Sequence, residues 1–267
     1  MTQVRLSGRR IAGHTIGAVA VAVVLLSLTA SATTLIALID RKHHRAVVAA
    51  DSLLVYKLAQ TSTQTCKIFT KPGCAFGMAG LLYKEYPVFR LQELADEACS
   101  LPGDLRHKAD AFLEIAREPV GTVAQYLRQS EPQFYRELAG GNGGELIMVV
   151  FAGPEAGSPS IFARGYKLDG EGGLTPVSMD VTEANNGAGF FGGAAGEIAA
   201  YLKAHPKWQD MDKVAAARKF VQLEIAAHPE WVGPPVAILT INRLDQQKWA
   251  SPGVCHAPPG AKKGKNN

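Results

Sequence analysis

Thr33-Thr34-Leu35-Ile36-Ala37-Leu38-Ile39, the charged stretch Asp40-Arg41-Lys42-His43-His44-Arg45, and then Ala46-Val47-Val48-Ala49-Ala50-Asp51-Ser52 decide how this chain folds. Two short aliphatic runs around a polar turn predict a β-hairpin. The runs are almost continuously apolar rather than alternating, so both faces of each strand are expected to be buried. Something must then pack on either side of this hairpin.

Working outward, Cys66-Lys67-Ile68-Phe69, a turn at Lys71-Pro72-Gly73, and Cys74-Ala75-Phe76-Gly77-Met78-Ala79-Gly80 read as a second hairpin. The middle is expected to be helical. Pro87 suits a first helical position, and Val88, Leu91, Leu94, Ala95 and Ala98 recur at helical spacing up to Pro102-Gly103. A second helix is expected from Asp104 through Ala116 and a third from about Thr122 to Arg128, before the glycine-rich loop 140–144. Strands return at Glu145–Phe151, Ile161–Leu168 and near Leu174–Met179, and the stretch Gly187–Gly193 follows. Helices follow at about Ala194–Lys203 and Asp212–Ala226, then a last buried strand, Val236–Ile241. Segregated runs of this kind predict an α+β protein of stacked layers, with paired sheets held between helices.

Upstream of Thr33 stand Arg5, Arg9 and Arg10, an uncharged run from Ile11 to Ile39, and small residues at Ala30 and Ala32. The most apolar part, Ile16–Leu28, has the length of a signal-peptide core and is short for a membrane span. Residues 1–32 are therefore expected to be a signal peptide, removed by signal peptidase between Ala32 and Thr33. The protein would then be exported to the periplasm or the outside. The alternative is an uncleaved membrane anchor. The organisation expected is 1–32 leader, 33–250 folded domain, and 251–267 a disordered basic tail rich in Pro, Gly and Lys.

The chain of 267 residues is 47% hydrophobic and 19% charged, which suits a globular protein. Its formal charge of +4 falls to +1 (25 basic against 24 acidic residues) without residues 1–32, so no basic face suggests nucleic acid. Cys66, Cys74, Cys99 and Cys255 permit disulfides in an exported protein. Cys66 and Cys74 flank the second hairpin turn and are candidates to face each other, although three connectivities remain open. No Cys-x-x-Cys or paired-histidine spacing implies a metal, and no cofactor is implied. His43 and His44 read as solvated turn residues.

A threonine hydroxyl attacks an amide only with a base at hand, and a free α-amine on the same residue can be that base. Its ordinary pKa is near about 8, so a nearby ammonium readily leaves it neutral, while a carboxylate holds that ammonium in place. Thr33, once N-terminal, Asp51 at the end of the first hairpin, and Lys67, 16 residues later, provide this set.

The pattern Thr33-Thr34-Leu35, Val48-Ala49-Ala50-Asp51-Ser52, Cys66-Lys67-Ile68 and Gly77-Met78-Ala79-Gly80 resembles proteasome β subunits and their bacterial relatives, which are N-terminal-nucleophile (Ntn) hydrolases. The resemblance implies a four-layer αββα sandwich. It also implies Thr33 as nucleophile and base, Asp51 and Lys67 as its supporting pair, the Gly80 N–H as oxyanion donor, and Met78 lining the substrate pocket. The substrate expected is a peptide or a small amide, and a homo-oligomer is possible within such a family. Three features depart from the pattern. The interval from Thr33 to Asp51 is longer than usual, Gly192-Gly193-Ala194 lacks the expected serine hydroxyl, and Glu230-Trp231-Val232-Gly233 stands where late Asp and Ser partners belong. These departures keep open a second reading, an exported binding or assembly protein that retains the fold without the activity.

Overall fold

The computed structural model describes residues 33–56, 61–169, 172–183 and 189–255. The expected signal peptide 1–32 and residues 256–267 of the expected tail lie outside the described residues. In chain order the elements are β1 Thr34–Asp40, β2 Arg45–Ala50, β3 Leu53–Tyr56, β4 Thr61–Gln64, β5 Ile68–Lys71, β6 Cys74–Gly80, β7 Tyr83–Lys84 and β8 Phe89–Arg90. Helices α1 Leu91–Ser100, α2 Leu105–Ser130 and α3 Pro132–Gly140 follow, and then β9 Glu145–Glu155, β10 Ser158–Leu168, β11 Leu174–Thr182 and β12 Gly189–Gly193. The chain continues through α4 Gly196–Ala204, α5 Lys213–Ala227, β13 Ala237–Asn242 and β14 Gln247–Ser251.

The fold is mixed α and β, with antiparallel sheets. One sheet has the order β12-β1-β2-β13-β14 and another β11-β10-β9-β6-β5, five strands each. The continuous apolarity of β1 and β2 has the expected cause. Leu35, Ala37, Ile39, Ala46, Val48 and Ala50 enter a core built with strand residues of the second sheet, among them Ala75, Met148, Val150 and Ile161. Their neighbours Ile36, Leu38, Val47 and Ala49 point to the opposite face, against Phe220, Val221 and Ile198 of α5 and α4. On the second sheet, Phe76, Val149, Phe151 and Phe162 pack with Leu91, Phe112 and Leu127 of α1 and α2.

Local readings differ from this structure in four places. The first helix begins at Leu91 rather than at Pro87, because Tyr83–Lys84 pairs with Phe89–Arg90 and puts Pro87 in a hairpin turn. Val88, expected to point inward, is exposed. The second and third expected helices are one, and α2 runs through Pro119. Its buried stripe of Leu105, Ala109, Phe112, Ala116, Val120, Val123 and Leu127 offsets the roughly 3 kcal/mol cost of an interior proline. Helix α3, with Tyr135 and Leu138 buried, stands where no element was expected. Finally, β14 pairs with β13 and carries folded structure to Ser251 and beyond, so the expected start of the tail moves towards the C-terminus.

The cysteines pair as Cys66–Cys255 and Cys74–Cys99. Cys66 does not face Cys74, because the β5–β6 register sets Lys71 opposite Cys74 and Ile68 opposite Gly77, leaving Cys66 before the paired stretch. Among the described residues, no helix is long and apolar enough to cross a membrane.

Candidate active site

Strand pairing assembles the candidate site. β1 and β2 pair with Leu35 opposite Ala50, and the Asp51 N–H donates to the Thr34 carbonyl at 3.3 Å. Asp51 is thereby held beside the start of β1. The turn between β1 and β2 is a single 3₁₀ turn at Arg41–His43 closed by His44 in the left-handed region. Lys67 immediately precedes β5, and its carbonyl accepts the Met78 N–H at 3.0 Å. From there its side chain crosses to β1.

Thr33, Asp51 and Lys67 are each about 1% exposed. The Lys67 ammonium donates to Thr33 Oγ1 at 3.0 Å, to Asp51 Oδ1 at 2.9 Å and to the Leu53 carbonyl at 2.6 Å. Asp51 Oδ1 also accepts the Thr34 N–H at 2.9 Å, and Oδ2 accepts the N–H groups of Leu53 at 3.0 Å and Gly233 at 3.2 Å. Burial raises the Asp51 carboxyl above its ordinary range and lowers the Lys67 ammonium below its own, each opposed by the attraction of the other. Three backbone donors on the carboxylate and three acceptors around the ammonium match the ionised pair. Lys67 therefore sits against the Thr33 hydroxyl as a cation whose hold on its proton burial has weakened.

Gly80 ends β6 at φ +86°, and a Cβ there would lie 2.4 Å from the Leu146 carbonyl oxygen. Glycine is required at this position by backbone geometry alone. Met78, 3% exposed, lines a cavity of about 510 Å³ with Leu54, Thr65, Cys66, Leu82 and Arg90 among its walls. Its lining mixes apolar side chains with polar and charged ones.

Several contributors were not legible in advance. Gly233, noted only because late side-chain partners were missing, donates its N–H to Asp51, and its carbonyl accepts the Ser52 N–H at 3.0 Å. Ala194 donates its N–H to the Thr33 carbonyl at 2.8 Å, and its carbonyl accepts the Thr34 hydroxyl at 3.0 Å. Backbone groups leave no residue-type signature in a sequence, which is why these were missed.

No family model matches the chain, and no curated protein matches it. Among solved structures it is similar to an Anbu (Gly-1) mutant from Hyphomicrobium sp. strain MC1, with a TM-score of 0.51 and 16% identity over 81% of this chain and 86% of that one. At this identity the likeness is one of fold. It corrects the expectation that the chain is an exported member of the proteasome β-subunit family, since the neighbour found is Anbu and no family match accompanies it. The residues that carried the resemblance are few, and strand pairing within this chain is what brings Thr33, Asp51 and Lys67 together. Such a pattern reports geometry better than it reports descent.

Proposed function

We propose that this chain is an exported hydrolase of the Ntn type that cleaves amide bonds, in peptides or small molecules, through Thr33. The observation that carries the reading is the Lys67 ammonium bridging Thr33 Oγ1 and Asp51 Oδ1 in a fully buried setting. The two sheets and their flanking helices would be the αββα layers of such an enzyme, a reading supported by the fold likeness to Anbu. Two disulfides fit an oxidising compartment, which supports export with residues 1–32 as the leader.

In this mechanism, removal of residues 1–32 frees the Thr33 α-amine. The amine takes the hydroxyl proton as Oγ1 bonds to the substrate carbonyl carbon. The C–N bond then breaks, the departing nitrogen receives that proton, and an ester on Thr33 remains for water to hydrolyse. Lys67 offsets the charge that builds on Oγ1, and Asp51 holds Lys67. The Gly80 N–H is the proposed oxyanion donor. The Met78 cavity would take an apolar substrate side chain. The test begins with the N-terminal sequence of the protein from its native host, expected to start at Thr33. A fluorescent β-lactone, which acylates activated hydroxyls, is expected to label that protein and not Thr33→Ala, with both folded. Equal labelling of Thr33→Ala sinks the proposal.

A non-catalytic binding protein of the same fold is favoured by one observation, the absence of a hydroxyl at Gly193 beside the site. Absence of any adduct on folded protein starting at Thr33 would favour it.

A further inference from the structure

We propose that Glu145 is a positioning residue for Thr33, an inference that rests on the catalytic reading above. Glu145 opens β9 in the second sheet and is 9% exposed. Its Oε1 accepts the N–H of Gly193, the last residue of β12 in the first sheet, at 3.3 Å. Gly193 pairs with Thr34, and the next residue, Ala194, holds both threonines: its N–H bonds the Thr33 carbonyl and its carbonyl bonds the Thr34 hydroxyl. A short relay thus runs from Glu145 through Gly193 and Ala194 to the nucleophile, tying the two sheets together at the site.

The local sequence suits this role. β12 is Gly189-Phe190-Phe191-Gly192-Gly193, with no polar side chain to anchor its end. A Cβ on Gly192 would strike the Phe190 ring at 2.5 Å and lie 3.5 Å from Glu145 Oε1. The strand end is therefore bare of side chains where the carboxylate comes in. A buried carboxyl group is costly to keep, and burial raises this one despite the Gly193 N–H and Lys167, its partner across β10. An apolar residue would fill the space more cheaply but leave the Gly193 N–H without an acceptor.

The test is β-lactone labelling of Thr33, resolved into a maximal rate and an apparent affinity, at a temperature where circular dichroism shows every protein folded. Glu145→Asp withdraws the carboxylate by one methylene, and its maximal rate is expected to fall about tenfold. Its affinity is expected to stay within about twofold of wild type, because the pocket is untouched. Glu145→Gln retains an acceptor oxygen and is expected to keep most of the rate. Wild-type labelling by Glu145→Asp, or a loss in Glu145→Gln as deep as that in Glu145→Asp, overturns the inference. If Glu145→Asp does not fold, Glu145→Ala takes its place with the same expectations. Failure of wild-type protein starting at Thr33 to label at all is a different result, and overturns the catalytic reading itself.

Discussion

At one end of the β1–β2 hairpin Asp40 faces Arg45, and at the other Asp51 faces Lys67. The distances are alike, 2.8 Å from Arg45 Nε to Asp40 Oδ2 and 2.9 Å from Lys67 Nζ to Asp51 Oδ1. Access to water differs. The Arg45 side chain is 25% exposed and also reaches Asp212, which caps α5, while both side chains of the Asp51 pair are fully buried. At the open end, burial would raise Asp40, but hydrogen bonds from His43 and Arg45 outweigh it and hold the carboxyl below its ordinary value. At the closed end burial prevails in both partners. A pair of opposite charges is thus a partly exposed tie in one place and, in the other, a fully buried one in which burial works against both charges. Asp40, His43 and Asp212 also bring possible ligand atoms within 4.8 Å of one another, yet Arg45 already donates to both carboxylates and supplies the cation there.

The comparison is broken most directly at Lys67. Lys67→Met leaves the Asp51 carboxylate buried without its counter-charge, and is expected to cost about 3 kcal/mol in a denaturant titration. Labelling of Thr33 is expected to vanish in the same variant. Adding Asp51→Asn removes the stranded charge, so the double variant is expected to recover much of the stability and none of the labelling. A single-variant cost of about 1 kcal/mol or less would mean that the buried pair is not ionised.

The two ends also differ in how legible they were. Apolar continuity in β1 and β2 reported burial on both faces, because side-chain type is written directly in the sequence, and the Asp51-to-Lys67 interval pointed to the pair only through the family resemblance. The Glu145–Gly193 tie was invisible, since it joins residues 48 apart through a backbone N–H. The Cys66–Cys255 link spans 189 residues and carries no local signal. The helix expected at Pro87 failed for the opposite reason. A strong local signal there yielded to a small hairpin whose pairing, Tyr83 with Arg90, becomes visible only in three dimensions.

Smaller effects are expected at the open end. Arg45→Leu is expected to cost about 1 kcal/mol or less, and the cost should shrink as salt is added, because water already screens the pair. A cost equal to that of Lys67→Met would erase the contrast between the ends. The slightest effect is pH-dependent and concerns Asp40 alone. Its carboxyl is held below the ordinary value of 3.8 in the folded chain. Its contribution is therefore complete above that value and is lost as pH falls through the lower folded one. Asp180, lowered by Arg164 and Arg106 against the effect of burial, moves in the same sense, so wild type alone cannot isolate Asp40. The stability difference between wild type and Asp40→Asn can, and it is expected to narrow as pH falls below about 4. A difference that stays constant through the acid range would mean that Arg45 and His43 do not hold Asp40 ionised. Water access would then no longer explain why the two ends of one hairpin treat the same charges differently.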